Sequence, residues 1–449
     1  MKSNTKKLDL QLIGKKITEF FSPSVETIAR QTKFVQRNSP LNGLNYLKIG
    51  VFGFLENPEA SLNDLAQVSS DLGITVTPQG LDERINPFSV AFMRSMFHQA
   101  IEVFKSQIPL ALPALQLFTA INIVDSTVKE LPDSMVTEYP GCGGNGPMAS
   151  MKIQLVFEFL RGNLKQVALQ AGRAADQSYQ DYLMVVEQGS LNLMDLGYFC
   201  LDAFREIANK GAYFLSRYLY PTALLTPEGK RIDLVNLLQQ QTAETIEHSI
   251  LLGNPTHYRL PCRLVILHLP LAVAEERRRK AKARAAKRGE TLTAKYLFLL
   301  GWTIFLTTAP VTLLSLEQVA CLYRVRWQIE LIFKLWKSYC GLKHIALWRR
   351  ERVLTELYTK MIGIILIHFL VAPLRIPDEV WSGREISTIQ VRKVVARYAS
   401  RLNQSLSDDE ADFIIVLRRV IDQIVRFGFK QKRRKNPNVC QRLASSSLA

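Results

Sequence analysis

The fold of this chain is decided by the stretch TLLSLEQVACLYRVRWQIELIFKLWKSYCGL, residues Thr312–Leu342. Ser315 and Gln318 stand at the spacing of a capping box and predict the start of a long α-helix. At about 100° per residue, four polar side chains fall on one stripe roughly 60° wide: Tyr323, Arg326, Glu330 and Lys337. Apolar side chains cover most of the remaining circumference, which predicts that this helix is largely buried.

Glu330 is the residue that this prediction singles out, because an isolated buried carboxylate is costly and needs a partner or a metal ion. Two interpretations stay open. Arg326 and Lys337 could satisfy the carboxylate as an internal salt-bridge ladder. Alternatively, the stripe is suited to hold a phosphodiester against a metal-bound carboxylate, since arginine offers a bidentate fork, lysine a point charge and tyrosine a hydroxyl.

Two further acidic residues follow apolar runs of strand length. The run LQLFTAINIVD ends in Asp125, and the run SLNLMD ends in Asp195. The Asp-Ser-Thr sequence that begins at Asp125 is also good turn chemistry, so a turn residue at the end of a strand is the alternative there. Asp202 competes with Asp195, and we predict instead that Asp202 caps the helix Asp202–Lys210.

The elements around these acids predict a mixed sheet flanked by helices, an α+β or α/β fold. After the first strand, a hairpin is predicted to turn at residues 161–163 between the strands Met151–Leu160 and Leu164–Gln170. A helix over Ala175–Gln188, the strand that ends at Asp195, the helix after it and a strand over Ala212–Tyr218 then complete the order β-β-β-α-β-α-β.

Pattern and composition divide the chain into five predicted segments. The segments are a helical DNA-binding region (1–112), the first part of a catalytic core (113–218), a β-rich insertion (219–300), the second part of the core (301–375) and a helical, basic C-terminal region (376–449). Strands are expected over Tyr258–Pro270 and Tyr296–Thr308. In the first segment, Ser61–Ile85 has the outline of two helices joined through Gly73, with Thr77 and Pro78 opening the second. A helix-turn-helix and an ordinary helical hairpin both fit.

The chain is strongly basic. It has 57 Lys and Arg against 40 Asp and Glu, a net charge of +17 and a pI near 9.6. The stretch Arg277–Arg288 holds eight basic residues in twelve positions, and Arg426–Asn436 is basic with no acid. Such a field attracts a polyanion, and nucleic acid is the leading candidate. The alternatives are a basic protein without such a partner and basic blocks that are merely solvated faces.

Secreted and membrane classes are disfavoured. The six cysteines form no CxxC pair and lie at no zinc-finger spacing, which fits a reducing compartment. The N-terminal residues lack the continuous apolar run of a secretory signal. The most apolar stretch, Met361–Leu374, is shorter than the roughly 20 residues that cross a bilayer, so we predict a buried helix there.

The pattern Tyr-x2-Arg-x3-Glu-x6-Lys, at positions 323, 326, 330 and 337, resembles the YREK signature of DDE transposases of the IS-four family of insertion sequences. Asp125-Ser126-Thr127 resembles the first catalytic motif of that family, and Asp195-Leu196-Gly197-Tyr198 resembles the second. The resemblance covers about residues 112–375. It implies an RNase H-like core interrupted by a β-rich insertion at about residues 219–300.

The resemblance also implies a chemistry. Asp125, Asp195 and Glu330 would hold two Mg²⁺ ions, for which Mn²⁺ can substitute, and these would drive DNA cleavage and joining of the 3′-hydroxyl to target DNA. Tyr323, Arg326 and Lys337 match the residues that grip phosphates. Trp302 and Trp327 are candidates for stacking on a base swung out of the duplex, with a place in the hydrophobic core as the alternative for each.

The implied partners are double-stranded DNA, as element terminal inverted repeats and as target, and a second copy of the chain in a homodimer. No membrane partner is expected, and the predicted location is the bacterial cytoplasm, in association with the nucleoid. Two other functions stay open: a catalytically silent DNA-binding protein that keeps the fold, and a nuclease or resolvase that cuts without strand transfer. Metal-dependent nicking and end joining would separate the three.

Overall fold

The computed structural model describes residues 9–110, 115, 117–241, 243–253, 259–345, 349–375, 385–406 and 410–430. The helices are α1 (Leu10–Phe20), α2 (Val25–Gln31), α3 (Gly43–Glu56), α4 (Leu62–Asp71), α5 (Pro78–Glu83), α6 (Pro87–Val103), α7 (Leu201–Asn209), α8 (Leu234–Gln239), α9 (Leu271–Arg288), α10 (Ala294–Leu299), α11 (Leu316–Tyr323), α12 (Gln328–Ser338), α13 (Arg350–Val371), α14 (Thr388–Ser405) and α15 (Glu410–Phe427). The strands are β1 (Ile121–Leu131), β2 (Ala149–Glu158), β3 (Asn163–Ala171), β4 (Leu191–Met194), β5 (Tyr213–Arg217), β6 (Leu224–Leu225), β7 (Thr245–Leu252), β8 (Leu260–His268) and β9 (Trp302–Thr307).

The strands form one mixed sheet in the order β3-β2-β1-β4-β5-β9-β8-β7-β6. Strands β1, β4 and β5 are parallel, whereas β2 with β3 and the run from β5 through β9, β8, β7 and β6 pair antiparallel. The predicted fold class, a mixed sheet flanked by helices, is confirmed. All four residues of β4 are buried, as are the first four of β1, which is typical of parallel strands covered on both faces.

The chain forms two compact units, the first comprising Met1–Ala111, Ser126–Ala174 and Gln328–Asn438, and the second Leu112–Asp125, Ala175–Trp327 and Val439–Ala449. The first unit contains the hairpin β2–β3, which turns at Gly162 with a left-handed φ of +77°. The predicted hairpin is therefore confirmed. Within the second unit, the short strand that precedes Asp195 and the strand over 212–218 are confirmed as β4 and β5.

Helices dominate the N-terminal part of the first unit, as predicted. Thr77 caps α5, and Pro78 is its first helical residue. Helices α4 and α5 contribute Leu65 and Leu81 to one apolar cluster, to which Ile74 of their connection also belongs. The expected pair of helices is therefore confirmed, and its part in binding DNA stays a prediction.

Helix α13 contains a long apolar stretch that no other described helix matches in length and composition together. The span Arg350–Leu374 is long and apolar enough to cross a membrane by length and composition, and its most apolar window is entirely buried inside the fold. The prediction of a buried helix over Met361–Leu374 is confirmed. His368 lies in this core and accepts a hydrogen bond at Nε2 from Nε1 of Trp336, at 3.2 Å.

Two predicted elements in the second unit are wrong. Residues 175–188 contain two short 3₁₀ segments, Asp176–Ser178 and Asp181–Val185, rather than an α-helix. Tyr179 and Tyr182 are both buried at a spacing of three, which matches three residues per turn better than 3.6. The expected strand over 296–308 begins only at Trp302, because Thr293 caps the short helix α10 before it.

The insertion is only partly β. Residues 219–300 contain the strands β6, β7 and β8 together with the helices α8, α9 and α10, and the stretch Arg277–Arg288 lies in α9. The strand predicted over Tyr258–Pro270 is confirmed as β8, and its first residue, Tyr258, lies outside the described residues. Residues 431–436 of the basic C-terminal stretch also lie outside them.

The long helix predicted over Thr312–Leu342 is interrupted. Its capping box at Ser315 and Gln318 is confirmed, but a 3₁₀ segment, Arg324–Trp327, separates α11 from α12. A 3₁₀ segment turns about 120° per residue, so the stripe calculated at 100° per residue does not hold across it. The capping prediction for Asp202 is also wrong, since Cys200 is the N-cap of α7 and Asp202 lies in its first turn, 3.3 Å from Arg205.

Candidate active site

Asp125 and Asp195 are neighbours because their strands are in register. The parallel pair β1–β4 aligns Ile121 with Leu191 and ends at Val124 with Met194, so the two aspartates occupy the next position on each chain. Adjacent strands lie about 4.8 Å apart, which brings both carboxylates to one edge of the sheet. The expectation that Asp125 ends its strand is wrong, since β1 continues to Leu131. The pairing of β1 with β4 ends before Asp125, because β4 itself ends there and Asp195 is the N-cap of a 3₁₀ turn.

Arg217 extends this row by one strand. The parallel pair β4–β5 ends at Met194 with Ser216, so Arg217 stands in register with Asp195. Its Nη2 donates to Oδ1 of Asp195 at 3.4 Å. The sequence pattern predicts this strand but does not single out Arg217 as a site residue. The available signal was its position at the carboxyl end of the third parallel strand, where ligands of such sheets bind.

Arg326 lies across both aspartates. Its Nη1 donates to Oδ2 of Asp125 at 3.1 Å, and its Nε lies 3.9 Å from Oδ1 of Asp195. Two guanidinium groups therefore face two carboxylates, and this offsets the repulsion between the like charges. The side chains of Asp125 and Asp195 remain 20% and 36% exposed, so substrate has access to both.

Tyr323 makes a hydrogen bond to the last residue of β4. Its hydroxyl donates to the main-chain oxygen of Met194 at 3.2 Å, the carbonyl directly before Asp195. Its ring packs against Phe305 with a centroid separation of 5.2 Å. Burial raises the pKa of the Tyr323 hydroxyl above its usual value, so this group stays protonated and able to donate.

Glu330 and Lys337 lie on α12 in the first unit. The prediction of a buried Glu330 is wrong, because α12 buries only one face, through Ile329, Ile332, Phe333, Leu335 and Trp336. Glu330 is exposed, as is Leu331 beside it. Lys337 is half-buried, and burial lowers the pKa of its amine.

Asp125 and Asp195 fit a divalent cation by their chemistry. Mg²⁺ and Mn²⁺ prefer oxygen ligands and are held in proteins by one or two carboxylates together with substrate phosphates. Two carboxylates on adjacent strand ends, partly exposed and in register, provide such ligands. Among the described residues, no group of three or more His, Cys, Asp or Glu side chains is arranged to hold a metal.

The two candidate tryptophans have opposite environments. Trp302 is buried, its ring lies 4.5 Å from that of His268, and its carbonyl accepts a hydrogen bond from Arg277 at 3.2 Å. This environment favours the core alternative for Trp302. Trp327 is 63% exposed, so its ring is accessible to a base.

The residues of the candidate site lie within a region that is similar to a known protein family. Residues 117–366, more than half of the chain, match the family model described as "Transposase DDE domain". The matched region contains Asp125, Asp195 and Glu330.

Curated relatives are similar over nearly the whole length. The chain is 27% identical over 448 residues to the transposase for insertion sequence element IS231B of Bacillus thuringiensis subsp. berliner, covering 95% of this chain and 93% of that one. It is 27% identical over 452 residues to the transposase for IS1151 of Clostridium perfringens, covering 94% of each. Among solved structures, a piggyBac transposase synaptic complex with hairpin DNA is similar with a TM-score of 0.46 and 12% identity, over 96% of this chain and 86% of that one.

Proposed function

The chain belongs to the DDE transposase family, and we propose that it cleaves DNA at the ends of an insertion sequence and joins the freed 3′-hydroxyl to target DNA. Membership of this family identifies the chain as an enzyme of DNA transposition. The cut-and-paste reaction is the specific proposal. The observation that carries it is the alignment of Asp125 and Asp195 on adjacent parallel strands, with Arg326 across both.

Asp125, Asp195 and Glu330 are the proposed metal ligands. Two Mg²⁺ ions, with Mn²⁺ as a substitute, would supply stabilisation of the charge on the attacking and leaving oxygens of a displacement at phosphorus. The aspartates contribute oxygens from the end of the β1–β4 ladder, and Glu330 contributes the third carboxylate from an exposed position on α12. Each carboxylate must be ionised to serve as a ligand.

The cationic side chains are proposed to bind the scissile phosphate. The guanidinium groups of Arg326 and Arg217 can each donate two parallel hydrogen bonds to phosphate oxygens, and Lys337 supplies a point charge. Tyr323 is proposed to act on the same phosphate. To do so, the hydroxyl, which donates to the Met194 carbonyl in this structure, would donate to a phosphate oxygen instead. Trp327, through its exposed ring, is proposed to stack on an unpaired base.

The transferred strand reacts in two displacements, and excision of the element also requires cleavage of the second strand. Water attacks the phosphorus at the element end, the phosphodiester bond to the 3′-oxygen breaks, and that oxygen leaves as the 3′-hydroxyl after taking up a proton. The freed hydroxyl then attacks a phosphorus of the target DNA, which releases a target 3′-oxygen as the new bond forms. The substrates are double-stranded element ends and target DNA. We propose that a homodimer holds two ends together in the bacterial cytoplasm.

The experiment is a cleavage and joining assay with the full chain. Duplexes that carry the terminal repeats flanking its own gene are incubated with Mg²⁺, with Mn²⁺ or with EDTA, beside the Asp195→Asn variant. We expect nicks and joined 3′ ends with either metal, and neither with EDTA or the variant. Metal-independent binding without any nick would instead identify a catalytically silent DNA-binding protein, and nicks without joining would identify a nuclease.

A further inference from the structure

Helix α9 carries the densest positive charge among the described elements. Its sequence, LAVAEERRRKAKARAAKR, places eight Lys and Arg in the last twelve positions. The helix belongs wholly to the second unit and ends at Gly289, which adopts a left-handed φ of +67°. None of the proposed catalytic or phosphate-binding residues lies on it.

One side of α9 is fixed to the protein. Ala274 and Ala285 are buried, and Ala281 lies between them on the same face. These small side chains allow α9 to pack closely against the rest of the protein. Two arginines reinforce this contact by donating to main-chain carbonyls. Arg277 donates to Trp302 at 3.2 Å, and Arg278 donates to Leu297 at 3.0 Å. These two cations therefore have a structural use.

The remaining cations divide into a paired and an unpaired group. Glu276 makes ion pairs with Arg279 and Lys280. The other four are exposed and form no ion pair within the described part of the chain: Lys282, Arg284, Lys287 and Arg288. We call these four residues the cationic set of α9.

The cationic set is unfavourable for the helix itself. Arg284 lies three residues before Lys287 and four before Arg288, and like charges at these spacings destabilise a helix. Cations in the last turn do favour the helix dipole, and this benefits Lys287 and Arg288. It does not benefit Lys282, which stands two turns before the C-terminus. A bound polyanion would attract each of these cations and so offset the repulsion between them.

The arrangement of the set identifies the kind of polyanion. At about 100° per residue, Ala283 lies opposite the buried alanines, with Ala286 about 60° to one side of it and Lys287 about 40° to the other. Lys282 and Arg284 lie about 100° to either side of Ala283. A helix 10–12 Å across fits a major groove about 12 Å wide, with a phosphate backbone along each side. Ala283 and Ala286 allow close approach there. The long side chains of Lys282 on one side, and of Arg284 and Lys287 on the other, can reach the two backbones.

We propose that α9 binds the phosphodiester backbones on both sides of a duplex DNA groove, without reading the base sequence. Ala283 and Ala286 offer the bases no hydrogen bond, and the cationic side chains contact phosphates, which every sequence shares. This inference rests on the proposed function, because it assigns part of the DNA-binding surface of the same enzyme. The cationic set contains none of the residues of the candidate active site.

The test compares two variants with equal loss of charge. The first replaces the cationic set (Lys282→Gln, Arg284→Gln, Lys287→Gln, Arg288→Gln). The matched control replaces four exposed cations of α14 and α15 (Lys393→Gln, Arg397→Gln, Arg401→Gln, Arg418→Gln). Binding of the full chain to a terminal-repeat duplex and to an unrelated duplex of the same length is measured in EDTA over a range of KCl concentrations.

We expect the dependence of log affinity on log salt to weaken by about 2 to 4 for the α9 variant, at roughly 0.9 per lost phosphate contact, and by less than about 1 for the control. The change should be equal on both duplexes. An unchanged slope, an equal loss in the control, or an effect confined to the terminal repeat would overturn the proposal. If circular dichroism shows that the fourfold variant is unfolded, the pairs 282/287 and 284/288 are tested separately, each with an expected loss of about 1 to 2. Because EDTA prevents cleavage, failure of the proposed chemistry would not affect this result.

Discussion

The Nη1 atom of Arg326 lies 3.1 Å from Oδ2 of Asp125, and the same guanidinium approaches Asp195. A single arginine thus touches both carboxylates of the proposed metal site and can also donate to a phosphate. We expect Arg326→Gln to slow single-turnover cleavage about 10²–10³-fold at saturating DNA, the loss seen when one donor to a transition-state oxyanion is removed. Arg326→Lys should restore only part of the rate, because it loses the bidentate fork. Full activity of the glutamine variant would contradict this role.

Replacement of Arg217 should change the affinity for metal and the affinity for DNA in opposite directions. A cation 3.4 Å from Asp195 opposes a second cation at that carboxylate and favours a phosphate beside it. Arg217→Gln should therefore tighten Mn²⁺ binding in the absence of DNA, on the order of tenfold, and weaken DNA binding. Titration of Mn²⁺ by electron paramagnetic resonance measures the first effect. Arg205→Gln, which removes a surface pair with Asp202, is the control and should change neither.

Glu330 predicts a separation of binding from catalysis. Glu330→Gln should retain or slightly raise DNA affinity, because it removes a negative charge, and should lower cleavage by at least about 10³-fold. Glu317→Gln, an equally exposed change on α11, should leave cleavage intact. Loss of DNA binding in the Glu330 variant would favour the alternative in which this acid only completes an internal salt-bridge ladder.

The two tryptophans should respond differently to replacement by alanine. Trp302→Ala removes a buried ring and should lower the free energy of unfolding by about 3–5 kcal/mol. Trp327→Ala removes an exposed ring and should change stability by less than about 0.5 kcal/mol. If Trp327 stacks on a base, its loss should weaken binding to DNA with an unpaired base near the cleavage site by about 1–3 kcal/mol, while fully paired DNA is unaffected. Thermal unfolding and fluorescence anisotropy measure these effects.

His368 predicts loss of stability in acid. Burial, reinforced by Arg375, lowers the pKa of His368 to about 3. Because the folded value lies below the unfolded value near 6.5, the stabilisation is complete above pH 6.5 and is lost as the pH falls toward 3. The slope in this window should approach about 1.4 kcal/mol per pH unit. Urea unfolding at pH 7, 6 and 5 should show a smaller slope for His368→Gln, whose side-chain oxygen can still accept from Trp336. Equal slopes would contradict the assignment.

Local patterns were sufficient to predict several elements. The capping box at Ser315, the turn at Gly162 and the short apolar run before Asp195 each depend on residues close in sequence. Such interactions can be identified without knowledge of the tertiary structure. The same holds for α13, whose continuous apolar composition leaves burial as the stable arrangement.

Other features depend on which segments become neighbours. The role of Arg217 follows from the register of β4 with β5. The spacing of residues along the sequence does not determine how two strands are aligned. The break between α11 and α12 contains neither glycine nor proline, so no local signal marked it. The segment 175–188 was predicted as a polar helix, and its composition alone does not separate an α-helix from the two 3₁₀ segments that the structure has there.

The row formed by Asp125, Asp195 and Arg217 is set by backbone pairing, which has a consequence for how such a chain can diverge. Many of the apolar residues before each charged position can be exchanged for others of similar size without moving the row. Deletion or insertion of a single residue within β1, β4 or β5 is different, because it turns every later side chain of that strand to the opposite face. A frame-preserving indel of one codon should therefore inactivate this enzyme where several substitutions in the same strand would not.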